Sequence, residues 1–195
     1  MLAAGFRGRS VLLAPLLLTL TAVVAGVWWL WPTLTGAEHD IDVLVVGDGM
    51  LAEARRSIEL RVREEGLFVE WYESSGWCDE IGRLASEVDG VEPGRVVVAF
   101  DGAAACVDAA ATAIGSADGV AVVVPGAGPD PATVAAAGFQ TVDPTRLIGA
   151  GGPVELPCEW WEEVCEPTGT AVRSADGSLT EAGGERLARI LAASL

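Results

Sequence analysis

Short apolar runs alternate with helical segments from residue 42 onward, and this alternation restricts the chain to few folds. Strand–helix–strand units of this length form right-handed crossovers and a parallel sheet with both faces covered. The pattern predicts strands at 42–47, 67–72, 95–100, 120–124 and 139–142, and helices at 50–65, 79–88, 107–114 and 180–193. The fold class is therefore α/β, a three-layer α/β/α domain with a parallel, flavodoxin-like sheet.

Three details refine this expectation. Gly66 stands where the first helix should end, as a C-cap would. In the closing helix, Leu187, Ile190 and Leu191 are spaced to face inward. The stretch 149–169 is rich in Gly and Pro and is expected to be irregular surface.

A 21-residue segment without charged residues, Val11 to Trp31, precedes this domain. As a helix it spans roughly 31 Å, enough to cross a bilayer. Arg7 and Arg9 precede it, so the positive-inside rule predicts an outward C-terminal domain. We expect a plasma-membrane protein with one membrane-spanning helix: residues 1–10 cytoplasmic, 11–31 a transmembrane signal-anchor, 32–40 a stalk and 41–195 extracellular. A cleaved signal peptide is the alternative.

The rest of the chain is strongly acidic. All 28 acidic residues follow the apolar segment. Only ten arginines accompany them, since Arg7 and Arg9 precede the segment, and the chain has no lysine. Such a domain repels phosphate backbones, which excludes nucleic acid as a partner. The remaining partner classes are the membrane, an envelope glycan or acyl ligand, and an envelope protein.

Four cysteines, Cys78, Cys106, Cys158 and Cys165, all follow the apolar segment, which fits disulfides in an exported domain. Three connectivities are open, and we favour Cys158–Cys165 as a small loop. Cys78–Cys106 follows by elimination. If the sheet order is 2-1-3, these two cysteines belong to the loops that flank the first strand, which supports this pairing. Zinc is the alternative, but the chain has no C-x-x-C and no nearby His.

Ligands of such folds bind beyond the carboxyl ends of the strands. The residues there, together with those before the last helix, form the candidate pocket: Asp48, Gly49, Gly76, Asp101, Gly102, Asp176 and Ser178. Carboxylates such as Asp48, Glu73, Asp79, Asp101 and Asp176 could act as acid and base or hold a cation, or could be solvated charges and helix caps.

Several chemistries are excluded by the residues present. Gly47-Asp48-Gly49 lacks the third glycine of a dinucleotide motif, because Ala52 stands there, and a strand-to-helix turn explains it equally well. The only histidine, His39, precedes the first strand, roughly 15–20 Å from its carboxyl end. A Ser–His hydrolase is therefore excluded, and we expect no cofactor and no metal.

One aromatic pair lies beside a cysteine. Trp160 and Trp161 follow Cys158 by two and three residues. They are either an exposed contact site or aromatics packed over the disulfide.

Four blocks of the chain resemble the SGNH/GDSL hydrolase family. Residues 46–49 resemble its first block, a strand ending in G-D-S, and 74–78 the second, in which Gly76 keeps the glycine whose amide serves the oxyanion hole. Residues 98–103 resemble the third block and 176–184 the last, D-x-x-H-L-T. The resemblance implies an SGNH-type α/β/α fold and ester or acyl-group chemistry on glycans and lipids.

Three departures from the family pattern remove its reactive groups. Gly49 replaces the nucleophilic Ser and Ala103 the oxyanion Asn. Leu179 replaces the His, or Ser178 does if one residue is deleted. The sequence predicts a catalytically inactive SGNH-like domain that binds a glycan or acyl ligand or scaffolds envelope modification. The alternatives are an active hydrolase with rearranged residues, using Asp48 or Asp101, and a protein-interaction module using Trp160 and Trp161.

Overall fold

Five parallel strands form the central sheet. They are β1 Val43–Gly47, β2 Val69–Glu73, β3 Arg95–Phe100, β4 Asp118–Val123 and β5 Gln140–Val142. The order is β2-β1-β3-β4-β5, which confirms the predicted parallel sheet and the 2-1-3 arrangement. This is the strand order of flavodoxin-like sheets, whose switch point lies between β1 and β3.

The computed structural model describes residues 40–47, 49–74, 76–100, 106–124, 128–163, 165 and 168–195. Residues 40–195 form one compact unit. The predicted anchor at 11–31 and His39 lie outside the described residues. Within the described ranges, no helix is both long and apolar enough to cross a membrane.

Seven helices of the described residues cover the two faces of the sheet. They are α1 Gly49–Glu53, α2 Arg55–Glu64, α3 Ile81–Val91, α4 Val107–Ala113, α5 Pro131–Ala136, α6 Thr145–Ile148 and α7 Glu181–Ala192. Helices α3, α4 and α5 pack on one face and α1, α2, α6 and α7 on the other.

Alternation along the strands divides the core between these faces. In β1, Leu44 and Val46 belong to one apolar cluster, and Val43 and Val45 to the other. All four side chains are fully buried. Successive strand side chains point to opposite faces, so a strand that is apolar throughout must be covered on both sides.

Helix ends follow local sequence signals. Gly66 has φ +81°, and the N–H groups of Gly66 and Leu67 donate to the carbonyls of Arg63 and Val62. This is a Schellman motif, so the predicted C-cap is confirmed. At the other end of the chain, Thr180 caps α7, because its hydroxyl accepts the Gly183 N–H at 3.1 Å.

Two expectations about secondary structure were wrong. The helix predicted over 50–65 is interrupted at Ala54, where α1 gives way to α2. The stretch 149–169 contains a strand, β6 Val154–Leu156, which pairs antiparallel with β7 Thr170–Arg173. Strands of three and four residues show too few alternations to be recognised by pattern, and their pairing is long-range.

Candidate functional site

A groove lies where β1 and β2 end, beside the candidate residue Gly49. Its volume is about 480 Å³, and its described lining is Gly47, Gly49, Ala52, Arg55, Trp71, Glu73 and Ser74. The carboxyl ends of adjacent parallel strands meet here, which is where ligands of doubly wound folds bind.

Two glycines shape the groove for different reasons. A Cβ on Gly47 would come within 2.9 Å of the Trp71 ring, so the indole can approach only because Gly47 has no side chain. Gly49 has φ +46°, a backbone conformation that favours glycine, and it begins α1. The turn therefore has a structural reason for both glycines.

Arg55 covers the Trp71 side of this groove. Its guanidinium lies 5.1 Å from the centre of the Trp71 ring, and its Nε donates to Glu59 at 2.9 Å. Its Nη1 is paired with Glu73. The hydrogen bond to Glu59 raises the pKa of Arg55 most, and the bond to Glu73 adds to it. The charge of Glu73 is thus compensated at the groove.

A second groove of about 450 Å³ adjoins the first. The two share Glu73 and Ser74, and Gly76 and Asp79 line the second one. The Gly76 amide, which the resemblance assigns to an oxyanion hole, donates to the Ser74 hydroxyl at 3.4 Å. Gly49 and Gly76 therefore lie in neighbouring grooves at the same end of the sheet.

The predicted disulfide Cys78–Cys106 is confirmed. The Cα atoms lie 5.6 Å apart, and the bridge joins the segment after β2 to the start of α4. Cys106 is buried in the same cluster as Trp77 and Phe100, with Cys78 packed against it. This bridge is part of the apolar core on that face of the sheet.

Asp176 and Ser178 form a closed turn between β7 and α7. The Asp176 carboxylate accepts bonds from the Ser178 hydroxyl at 2.7 Å, the Ser178 amide at 3.1 Å and the Ser174 hydroxyl. These bonds lower the pKa of Asp176 to about 2, and the bond from the Ser174 hydroxyl contributes most. Neither residue is among the described residues that line the two grooves. Their side chains hold the turn together.

Leu179, at the family's histidine position, lies beside the helix that starts with Gly49. Its amide donates to Glu53 of α1 at 2.7 Å, and its side chain packs against the core. The last block is therefore held near the first, but by a backbone contact and an apolar side chain.

The remaining candidate positions, Asp48, Asp101, Gly102 and Ala103, lie outside the described residues. In the part of the chain that is described, one group of three side chains has the spacing to hold a metal: Cys158, Glu162 and Cys165. The two cysteines are joined in a disulfide with Cα atoms 6.0 Å apart, which confirms the second predicted pair.

A larger groove of about 1070 Å³ runs between α2, α7 and the disulfide loop 158–165. Arg189 of α7 donates to Glu185 at 2.9 Å, and Arg61 of α2 donates to the same carboxylate at 2.7 Å. The Arg189 guanidinium also lies 5.2 Å from the centre of the Trp161 ring. The sequence interpretation did not identify this groove.

The two adjacent tryptophans have different surroundings. Trp160 is 89% exposed, whereas Trp161 is half-buried and in contact with Arg189. Their rings meet edge to face at 5.7 Å. The exposed-contact interpretation therefore fits Trp160, whereas Trp161 packs against Arg189.

Arg186 is buried on the inward face of α7 and forms an ion pair with Glu162. Its Nη1 and Nη2 also donate to the carbonyls of Leu147 and Pro157. The pKa of Glu162 is lowered to about 2, chiefly by the hydrogen bond from Arg186. The sequence interpretation missed this pair, although Arg186 immediately precedes Leu187, at helical spacing from Gly183 on the inward face.

No known family, curated protein or solved structure matched this chain when it was compared with all three. The resemblance to the SGNH/GDSL family therefore rests on the four sequence blocks alone.

Proposed function

We propose that this chain is a membrane-anchored, extracytoplasmic SGNH-type domain that binds a glycan or acyl ligand without hydrolysing it. One observation carries the proposal: the groove at the ends of β1 and β2 is open, and the residues at the serine and histidine positions of the resemblance, Gly49 and Leu179, carry no reactive group. Acyl transfer needs a nucleophile with a base in hydrogen-bond reach. Binding needs only the groove.

The placement of the first, second and last blocks supports the family proposal. The strand order agrees with the fold that the resemblance implies. Gly49 and Gly76 line adjoining grooves, and Leu179 is tied through Glu53 to the helix that begins at Gly49. The second and last blocks, far apart in sequence, thus each lie close to the first, which supports the proposal.

The lining favours an uncharged ligand with oxygen atoms. Gly47, Gly49 and Ala52 give an apolar surface, and the charges of Arg55 and Glu73 compensate each other. The described lining also offers one uncharged side-chain hydroxyl, that of Ser74, as a polar contact for a ligand oxygen.

Ligand-induced thermal shift of residues 38–195 tests this function, with acetylated glycans, acyl chains and divalent cations as the panel. A true ligand at 100 times its Kd should stabilise the domain by about 2.7 kcal/mol. Ala52→Trp, which fills the groove, should abolish the shift. Ala109→Trp, at an exposed position of α4, is the matched control.

Two results would overturn the proposal. The first is hydrolysis of p-nitrophenyl acetate by the purified domain well above a heat-denatured control. The second is a response to cations alone, which would favour the rearranged hydrolase that uses Asp48 or Asp101.

A second candidate function is a protein-interaction module centred on Trp160. The 89% exposure of this indole favours it, because large exposed aromatics are enriched at binding hot spots. Trp160→Ala should then abolish capture of an envelope partner and leave pocket ligands unaffected. Leu60→Ala, at a residue 55% exposed on α2, is the control.

A further inference from the structure

The two disulfides of this protein lie in contrasting surroundings. Cys106 is 6% exposed, and its bridge to Cys78 packs within the core. Cys158 is exposed and Cys165 is half-buried, and this bridge closes a surface loop between residues seven apart. Exposed bridges are the ones that thiols reach, while buried bridges resist reduction.

The exposed bridge closes a loop that carries the carboxylate paired with Arg186. Glu162 lies inside the loop, and its two oxygens accept from Arg186 Nε at 2.7 Å and Nη2 at 2.8 Å. Arg186 Nη2 also donates to the carbonyl of Pro157, directly before Cys158. The loop is therefore attached to α7 both inside the bridge and next to it.

The same loop forms one wall of the large groove. Trp161, Glu162 and Glu163 line the groove, as do Arg56 and Leu60 of α2. Movement of the loop would carry the Trp161 indole away from Arg189 and change the width of the groove.

Thr170 connects the bridge to the ion pair. Its hydroxyl donates to Glu162 Oε2 at 2.9 Å and lies 3.5 Å from Cys165 Sγ. A hydroxyl has one hydrogen, so it can serve either the carboxylate or a thiolate at Cys165. Opening of the bridge would thus withdraw a donor from Glu162.

We propose that Cys158–Cys165 is a thiol–disulfide exchange site whose redox state sets the position of the Trp161 wall of the large groove. This site is separate from the groove beside Gly49 and does not depend on the function proposed above. Its reaction partner is a dithiol reductant.

The exchange proceeds in two steps. A thiolate of the dithiol attacks Cys158 Sγ, the S–S bond breaks, and Cys165 leaves as a thiolate that Thr170 can stabilise. The second thiol of the reductant then attacks the mixed disulfide and releases Cys158. Two electrons and two protons pass to the protein, which becomes a dithiol, and the reductant becomes a disulfide.

Graded reduction of the full-length chain in detergent with dithiothreitol tests the proposal. Differential alkylation and mass spectrometry report whether each cysteine pair is oxidised or reduced. Hydrogen exchange reports how often the backbone amides of residues 159–163 open. We expect Cys158–Cys165 to open at a dithiothreitol concentration at least tenfold below that for Cys78–Cys106. Exchange in 159–163 should rise at least tenfold at that point, with β3 unchanged. Simultaneous opening of both bridges, or opening without faster exchange, would overturn the proposal.

A matched pair of variants tests the role of Thr170. Thr170→Val removes the hydroxyl and should slow reduction of Cys158–Cys165 severalfold. Thr170→Ser keeps the hydroxyl, so its disulfide should be reduced at the wild-type rate. Equal rates in both variants would exclude Thr170 from the exchange. Unchanged exchange of β3 amides verifies that each variant is folded.

Discussion

Arg186 and Glu162 form a bidentate ion pair that joins the core helix α7 to the disulfide loop 158–165. The Arg186 side chain is 1% exposed and that of Glu162 10%. Besides the two guanidinium bonds, the carboxylate accepts the Glu159 amide and the Thr170 hydroxyl, each at 2.9 Å. Both carboxylate oxygens are hydrogen-bonded, which is the condition under which a buried ion pair is tolerated.

Removing Glu162 alone should therefore destabilise the fold strongly. Glu162→Leu leaves the Arg186 charge buried without its counter-charge, and we expect a loss of about 3–5 kcal/mol in the free energy of unfolding. Denaturant unfolding at pH 7 measures it. The double variant Glu162→Leu/Arg186→Met should recover most of the loss, because both charges are gone. A single variant within 1 kcal/mol of wild type would contradict this reasoning.

The same pair predicts an acid dependence of stability. Folding lowers the pKa of Glu162 from an ordinary 4.5 to about 2. Its contribution to the free energy of unfolding is therefore complete above pH 4.5 and is lost as the pH falls towards 2. The shift corresponds to about 3 kcal/mol. Unfolding curves for wild type and Glu162→Gln from pH 7 to pH 2 report it. The difference in free energy of unfolding between the two proteins should be constant above pH 5 and shrink below pH 4.5. A difference that stays constant down to pH 2 would show that the pKa of Glu162 is not lowered by folding.

Two neighbouring glycines in α7 should respond oppositely to alanine. A Cβ on Gly183 would overlap the Val172 carbonyl, which is backbone and cannot move aside, so Gly183→Ala should lose at least about 2 kcal/mol. A Cβ on Gly184 would lie 3.5 Å from Ala54 Cα, an ordinary contact. Gly184→Ala should be neutral or stabilise by up to about 1 kcal/mol through helix propensity. Thermal unfolding separates the two, and equal effects would argue against this packing.

Introducing a serine at Gly49, where the resemblance expects one, should not create hydrolase activity. Gly49→Ser places a side chain at φ +46°, which costs about 1 kcal/mol, and Leu179 offers no base. We expect p-nitrophenyl acetate hydrolysis to stay at background. Gly49→Ala carries the same strain without the hydroxyl and serves as the control. Hydrolysis by the serine variant but not by the alanine variant would reveal a base elsewhere in the site.

Local patterns were sufficient to predict the sheet. The four apolar residues of 43–46 belong to a strand covered on both faces, and Gly66 ends its helix as expected. These features depend on periodicity and on backbone conformations that only glycine adopts readily, and both are written in a short stretch of chain.

The candidate site was only partly predictable. Gly49 and Gly76 follow adjacent strands, and the structure places them in neighbouring grooves. Asp176 and Ser178 also matched a motif, yet their side chains bond each other within a turn. A motif identifies a residue type at a position in the sequence, but the direction of its side chain depends on neighbouring contacts.

The sequence by itself determined the alternation of strands and helices and the parallel sheet, because right-handed crossovers leave few alternatives. It favoured the two disulfide pairs among three connectivities, and the structure decided between them. Only the tertiary structure decided which charges are buried and where the large groove lies. Glu162 and Arg186 are 24 residues apart, and β6 and β7 pair through strands of three and four residues. Such contacts form because folding brings distant segments together, and no local periodicity records them.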